Sequence, residues 1–427
     1  MKILVVGSGG REHAITWRLG QDKESHELFC APGNAGTSGL ATNVAVGAED
    51  VEGIVAWAKE NRPELVVVGP EAPLVKGLSD RLAEEGILAF GPVQAGARME
   101  GSKRFAKEVM DAAGVPTGKA EVYSDAAAAK AALEKFGLPV VVKADGLAAG
   151  KGVVVAETRA EAEAAIDDML VGNKFGSAGA EVLIEEFLDG EECSILAVVD
   201  GERAMLLPSS QDHKRIFDGD KGPNTGGMGA YSPAPVVTEE MLPGIRDRII
   251  LPVIRELKKR GIEYRGILYA GLMITPEGGK RALSGEKINV VEFNARFGDP
   301  ETEAVLTRLE GNFAELLKHA AEGRLEGNEI TVSKESAATV IVASKGYPGS
   351  YEKGKEITGL EGAGLVFHCG TKAQDGKVFT AGGRVLAATG TGATLREAVD
   401  KAYETVGRIS FEGAYWRRDI AHRAFNR

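Results

Sequence analysis

The chain has 427 residues, 44% hydrophobic and 26% charged, the make-up of a soluble protein of roughly three domains. Its net charge of −11 disfavours a nucleic-acid partner, and no apolar run approaches the ~20 residues of a membrane helix. The start, MKILVVGSGGREHA, lacks the long apolar core of a secretion signal, so a cytoplasmic enzyme is expected. Cys30, Cys193 and Cys369 are scattered and read as buried reduced thiols, and the histidines show no metal-ligand spacing.

Residues 1–100 alternate strand and helix. Ile3–Val6 is a continuous apolar run suited to a strand buried on both faces, followed by strands at Glu27–Ala31, Asn43–Val46, Leu65–Val68 and Ile87–Phe90. Val51, Ile54, Val55 and Ala58 fall at i, i+3, i+4 and i+7, an amphipathic helix. The alternation predicts a parallel α/β sheet with ligand loops at the strand carboxyl ends. Those ends are GSGGREHA (Gly7–Ala14), APGNAG (Ala31–Gly36) and GPEAPL (Gly69–Leu74); the first opens a helix whose amino terminus favours a phosphate. A dinucleotide fold is disfavoured, because GxGxxG needs glycine where Glu12 stands and Cys30–Ala31–Pro32 replaces the expected acid.

Residues 101–120 read as a helix and connector, capped by Ser102, with Lys103 in the first turn and Phe105, Val109 and Ala113 on one face. Residues 121–189 read as a small α/β unit: a strand, an alanine-rich helix (Asp125–Phe136), a hairpin, a helix near Ala160–Leu170, then VLIEEFLDGEE (Val182–Glu192). The hairpin carries Lys143 and the loop ADGLAAGKG between two apolar runs. Its glycines let backbone N–H groups approach an anion, and Lys143 and Lys151 add positive charge, so it reads as a cover for nucleotide phosphates. A plain surface hairpin is the competing reading. A Walker loop fails, since Gly152 stands in place of Ser/Thr and a strand follows where a helix should. Such a unit can move as a lid, and Asn173–Ala180 reads as a mobile loop.

Residues 190–325 resume a larger antiparallel body, with strands at Ser194–Val199, Gly266–Thr275 and Asn289–Phe293 and a helix at Met241–Lys259. SSQDHKRIF (Ser209–Phe217) clusters Asp212, His213, Lys214 and Arg215; DKGPNTGGMGAY (Asp220–Tyr231) is too long for a simple turn. Residues 326–427 add strands at Ala338–Ala343, Leu365–His368 and Arg384–Ala388 and a helix face of Leu395, Ala398, Val399, Ala402, Val406 and Ile409. The fold class expected is multidomain α/β and α+β.

In VVEFNARFGDPE (Val290–Glu301), strand alternation puts Glu292, Asn294 and Arg296 on one face. A carboxylate beside an amide oxygen suits Mg²⁺, and an arginine two residues on suits a transferred phosphoryl group. A solvated face with an Arg–Glu pair is the competing reading. In VLIEEFLDGEE, a strand ending at Glu185, Phe187 and Leu188 can offer backbone groups to adenine, with Glu191 or Glu192 for ribose hydroxyls; an acidic strand–turn competes.

GSGGREHA at 7, PGNAG at 32, GPEAPL at 69, KADGLAAGKGV at 143, EEFLDGEE at 185, SQDHKR at 210, PNTGGMGAYSP at 223 and EFNARFGDPET at 292 together resemble the ATP-grasp superfamily over roughly residues 100–310. Over the whole chain they resemble its phosphoribosylamine–glycine ligase family. The resemblance implies an N-terminal parallel α/β (pre-ATP-grasp) domain over 1–100, a central ATP-grasp body over 101–120 and 190–325, a small mobile lid over 121–189 and a C-terminal α+β domain over 326–427. It implies ATP and Mg²⁺ (or Mn²⁺). By the same resemblance Lys103 and Lys143 contact ATP phosphates beneath Gly150 and Gly152, Glu185 and Leu188 hold adenine, and Glu192 holds ribose. Glu292 and Asn294 bind the metal, and Arg296 stabilises an acyl phosphate, with Lys143 also catalytic. Relatives often carry a further acid on the preceding strand; YAGLMIT has none.

The implied reaction, in de novo purine biosynthesis, joins 5-phosphoribosylamine and glycine to give glycinamide ribonucleotide, ADP and phosphate. ATP converts glycine's poor acyl donor, a carboxylate, into glycyl phosphate, which the amine attacks. The protein's task is positioning, charge neutralisation and exclusion of water, so no protein nucleophile is needed. The ribose phosphate is expected at Gly9, Gly10 and Asn34, and the glycine end near Asp212, Lys214 and Asp299, with Asp299 able to pair with the glycine ammonium; capping a helix at Pro300 is the competing role of Asp299. The alternatives are an ATP-grasp enzyme activating bicarbonate or formate, and a nucleotide-binding scaffold without catalysis. A monomer with small-molecule substrates is expected, and transient contact with the enzyme supplying phosphoribosylamine is left open.

Overall fold

The computed structural model describes residues 1–147, 152–172, 179–276, 287–327 and 329–427. The first hundred residues fold as β1 (Lys2–Gly7), α1 (Gly10–Leu19), β2 (Glu27–Pro32), β3 (Thr42–Asn43), α2 (Val51–Asn61), β4 (Leu65–Val68), α3 (Glu71–Val75), α4 (Leu78–Glu84), β5 (Ala89–Phe90) and α5 (Gln94–Gly101). The sheet order is β3-β2-β1-β4-β5, parallel throughout. The continuous apolar runs of β1 and β4 are the buried central strands, covered on both faces. β3 and β5 are shorter than their apolar runs suggest, because each is an edge strand with a partner on one side only.

Ser102 caps α6 (Lys103–Ala113) by accepting the Phe105 N–H. The chain then enters a small unit of β6 (Ala120–Tyr123), α7 (Ala126–Ala132), β7 (Val140–Ala144), β8 (Val153–Ala156), α8 (Arg159–Ile166) and β9 (Val182–Glu186). Its antiparallel sheet, β6-β9-β7-β8, encloses its own core of Ala129, Leu133, Val142, Ile166 and Ile184. Gly150 and positions 173–178 of the Asn173–Ala180 loop lie outside the described residues.

The body follows: β10 (Glu191–Asp200), β11 (Ala204–Leu206), β12 (Gln211–Asp212), β13 (Arg215–Phe217), β14 (Lys221–Asn224), β15 (Gly229–Ser232), α9 (Met241–Ile245), α10 (Leu251–Lys259), β16 (Arg265–Ile274), β17 (Ile288–Asn294), α11 (Glu301–Val305), β18 (Leu309–Gly311) and α12 (Phe313–Glu322). Its main sheet is β11-β10-β16-β17. The last segment adds β19 (Ile330–Val332), β20 (Ser336–Ser344), β21 (Glu356–Ile357), β22 (Leu365–His368), β23 (Thr371–Gln374), β24 (Lys377–Thr380), β25 (Arg384–Gly392), α13 (Leu395–Arg408), β26 (Ala414–Tyr415) and α14 (His422–Phe425).

Residues 325 and 326 do not divide the sheets. β12 and β15 join the C-terminal sheet β12-β15-β20-β25-β22, and β18 pairs with β19. One apolar core runs from β1 (Ile3, Val5) through the body (Leu196, Tyr269, Phe297) to Ile341 and Phe367, while the small unit's core is separate. The site therefore has one wall on a continuous core and the other on an independently packed unit.

Candidate active site

β7 faces the body. Alternation sets Val141 and Lys143 on one side, with their partners Val155 and Val153. Lys143 is buried and pairs with the Glu185 carboxylate; its Nζ also donates to Val291 O on β17 at 3.3 Å. Lys103, in the first turn of α6, donates to Gly146 O at 2.8 Å, so both lysines bound the glycine loop. Burial lowers the Lys103 pKa. A cleft of about 780 Å³ opens between β8, the β13–β14 ribbon (Phe217, Asn224) and the loop Ser344–Gly349.

Glu292 lies on β17 opposite Gly271. Burial alone would raise its pKa, but Lys214, Lys143, Lys103 and Arg296 together hold it below the ordinary value. An ionised carboxylate is thus kept at the meeting point of the cations that sequence reading assigned to phosphates and substrate. Asn294 closes the same strand two residues on. Their hard oxygens fit Mg²⁺.

Glu185 differs from its expected place at the adenine edge in what its side chain does. It is buried, and although burial would raise its pKa, Lys143 and Lys107 hold it low. Lys107 of α6 also donates to Thr117 Oγ1 at 2.6 Å and Gly118 O at 2.8 Å. This is where the chain crosses into the small unit and back: Glu186 N donates to Lys119 O at 2.8 Å, and Val290 N to Pro116 O at 2.8 Å. Sequence reading missed Lys107, although it stands one turn after Lys103 on the same helix. Leu188 is buried beside this crossing, just past β9.

Glu192 on β10 accepts from Lys214 at 2.7 Å, so the carboxylate expected at the ribose is bound to the lysine expected near glycine. Burial would lower the Lys214 pKa; Glu192, Asp212 and Glu292 raise it well above the ordinary value. Burial pushes the Asp212 carboxyl up to about 7; Lys214 opposes this, and Glu301 and Glu192 add to it. Glu301, unassigned from sequence, accepts from Ser194 Oγ and Tyr269 OH, each at 2.9 Å.

Arg296 stands beyond the end of β17, so it does not simply share the face of Glu292 and Asn294. It reaches the N-terminal domain: Nη2 lies 2.9 Å from Glu100 and Nε 3.6 Å from Glu71. Its pKa is raised because those carboxylates outweigh burial. Glu100 is nonetheless pushed up by burial and by Glu71, whereas Glu71 is held low by Arg296 and Arg11 against burial. Asp299 caps no helix; its Oδ1 lies 2.9 Å from Arg384 of β25.

At the first loop, groups expected at the ribose phosphate already have partners within the chain. Glu12 reaches back to accept the Gly9 N–H at 2.6 Å, occupying the helix terminus offered to a phosphate. A Cβ on Gly7 or Gly69 would fall within 2.4 or 2.2 Å of that same Glu12 side chain, which fills the space a dinucleotide pyrophosphate needs. Gly10 faces Glu303 and Cys369. The Asn34 side chain is committed: it donates to Ser8 O (2.9 Å) and His368 O (2.7 Å) and accepts from the N–H groups of Gly36 (2.8 Å) and Thr37 (3.0 Å). Asn34 therefore ties the first loops to the C-terminal domain.

Family models for phosphoribosylglycinamide synthetase match the chain in three pieces: the N domain over residues 1–100, the ATP-grasp (A) domain over 101–302 and the C domain over 337–423. A phosphoribosylamine–glycine ligase of Halalkalibacterium halodurans is 48% identical over 427 residues, covering 99% of this chain and 97% of that protein. One from Nostoc sp. is 50% identical over 432 residues, covering 99% of each. Among solved structures, phosphoribosylamine–glycine ligase from Thermotoga maritima superposes with a TM-score of 0.85 at 37% identity, covering 98% of this chain and all of that one. The biotin carboxylase domain of Hydrogenobacter thermophilus 2-oxoglutarate carboxylase, solved with MgADP, shares the fold at a TM-score of 0.72 and 18% identity, covering 97% and 91%.

Proposed function

The chain belongs to the phosphoribosylglycinamide synthetase family, and from that premise we propose how its own residues carry the reaction. It is an ATP-dependent carbon–nitrogen ligase of purine biosynthesis that joins 5-phosphoribosylamine and glycine. One observation carries the assignment of roles: Lys143 of the small unit donates to Val291 O on β17, next to Glu292, whose carboxylate Lys214, Lys143, Lys103 and Arg296 together hold below its ordinary pKa.

In this reading Lys103 and Lys143 exchange Gly146 O and Glu185 for ATP phosphates, beneath the loop of Gly150 and Gly152. Glu185 and Leu188 flank adenine at the crossing, and Glu192 serves ribose. Glu292 and Asn294 would hold Mg²⁺ or Mn²⁺, since both ions take carboxylate and amide oxygens, and an ion there would neutralise phosphate charge. Asp212, Lys214 and Asp299 receive glycine, with the Asp212 carboxylate set for its ammonium. Gly9 and Gly10 receive the ribose phosphate only if Glu12 gives up the Gly9 N–H. Arg296, pre-oriented by Glu100 and Glu71, meets the charge that develops on the acyl phosphate. The separate core of residues 121–189 supports their motion as a lid that excludes water from glycyl phosphate.

The test is ADP release in the presence of Mg·ATP. Release is expected only when glycine and phosphoribosylamine are both supplied; glycine-independent release, or release with bicarbonate or formate in its place, overturns the reading.

A further inference from the structure

The end of the chain folds back onto the stretch that follows Asp212 and Lys214. Arg417 is fully buried, at 0% exposure. Its guanidinium donates to both oxygens of Asp419 at 2.8 Å, to Arg215 O at 3.0 Å and to Asp220 Oδ1 at 2.9 Å. Asp419 in turn accepts the Gly219 N–H at 2.8 Å, Arg418 N donates to Asp218 at 2.8 Å, and Tyr415 OH donates to Ile216 O at 2.9 Å. Arg423 donates twice to Asp220 Oδ2, at 2.9 and 3.2 Å. Ala421 N donates to His213 Nε2 at 2.9 Å. Of residues 215–220, all but Phe217 are thus held by backbone or side-chain bonds from the tail. Asp220 is kept at a φ of 55°, which non-glycine residues rarely adopt without such restraint.

His213, Asp220 and His422 place ligand-type atoms within 4.8 Å of one another, a spacing a cation would accept. The chemistry opposes it. The Ala421 N–H on Nε2 leaves the proton of neutral His213 on Nδ1, the nitrogen facing Asp220 at 3.8 Å, and two arginines already occupy Asp220. The cluster is an ion-paired clasp.

We propose that the segment Arg417–Arg423 is a positioning device for the ligase reaction: it fixes His213–Asp220 and so sets Asp212 and Lys214 against Glu292. The inference rests on the functional reading above. Arg417 is its positioning residue. Lys214, which the segment helps to fix, also donates to Glu192 at 2.7 Å, so the segment governs the glycine side of the site directly and reaches the ribose side only through Glu192.

The test uses the full chain carrying Arg417→Met, in preparations that keep the wild-type circular dichroism. Expected are a fall in kcat/KM for glycine on the order of 10²-fold, as a displacement of about 1 Å produces, with a clearly smaller change in affinity for an ATP analogue. Faster hydrogen exchange at amides 213–224 should accompany it, and Arg417→Lys should restore part of the activity by keeping the charge. Unchanged glycine kinetics, unchanged exchange, or an equal loss of nucleotide affinity would overturn the proposal. If Arg417→Met does not fold, Arg423→Gln takes its place, with a smaller loss in the same direction expected and no loss refuting it. Where the wild type shows no glycine-dependent ADP release, the functional reading fails, and the exchange measurement, which needs no turnover, decides the clasp alone.

Discussion

Arg296 of the body and Glu100 of the N-terminal domain meet across the domain seam, Nη2 to Oε1 at 2.9 Å. The guanidinium is therefore aimed before any substrate arrives, by a helix that sequence reading placed outside the catalytic body. Preorganised charge of this kind costs no rearrangement during reaction.

Arg296→Ala should lower kcat by about 10²-fold or more, because a charge stabiliser of the transition state is lost. It should also destabilise the fold by about 3 kcal/mol, because Glu100 is left buried and unpaired. Glu100→Gln keeps an acceptor and the fold but loosens the aim, so its kcat should fall with little change in the KM for ATP. Steady-state kinetics beside urea unfolding check both; a Glu100→Gln enzyme as fast as wild type would remove Glu100 from positioning.

Lys143→Ala should raise the apparent KM for ATP roughly 30-fold or more, about 2 kcal/mol, while the fold persists because Glu185 keeps Lys107. Lys107→Met acts differently. It removes one partner from each of Thr117, Gly118 and Glu185 at once, so the small unit should exchange hydrogen faster near 116–119 and 185–187. Nucleotide titration and hydrogen exchange separate the two; an unchanged KM in Lys143→Ala takes that lysine out of the phosphate site.

What was legible in the sequence was local. The runs Ile3–Val6 and Leu65–Val68 announced a buried parallel sheet, and the glycine loop between apolar runs announced β7 and β8. Glu292 and Asn294 could be chosen because strand alternation is a two-residue rule. What was not legible was pairing at long range. Nothing near Arg296 tells that Glu100 is its partner, nor does anything near Asp212 tell that β12 belongs to a sheet completed by β20 and β25. The bonds that occupy Asn34 and Gly9 were illegible for the same reason: they come from His368 in another domain and from a side chain, Glu12, read only as a missing glycine.

Glu292→Gln should weaken the dependence on divalent ion by at least the ~10- to 100-fold that changes around metal ligands cause. The substitution also removes a negative charge from the surroundings of Lys103, Lys143 and Lys214, so ATP binding without metal should tighten or hold. ADP release titrated with Mg²⁺ and Mn²⁺ is the measurement. An unchanged Mg²⁺ requirement would remove Glu292 as a ligand, and the two titrations together decide which ion the site prefers.

Asp212 gives the site a pH signature whose sign can be worked out. Burial first, then Glu301 and Glu192, push its carboxyl up to about 7 from an ordinary 3.8. The folded chain keeps a proton that the unfolded chain releases, so the stabilisation is full below about pH 4 and is lost as pH rises through about 7. The buried His13, His213 and His368, held down to about 3, 4 and 4 by burial, work the other way, their contribution being lost as pH falls below the ordinary 6.5. These histidines are common to wild type and Asp212→Asn, so the difference in unfolding free energy between the two isolates the carboxyl. That difference should shift against the wild type between pH 4 and 7. Activity should move oppositely: as Asp212 ionises it gains the charge that pairs with glycine's ammonium, so kcat/KM for glycine should rise through about pH 7 and lose that limb in Asp212→Asn. Urea unfolding at three pH values with a glycine pH profile decides it; a flat difference, or a limb that survives the substitution, would place the titrating group elsewhere.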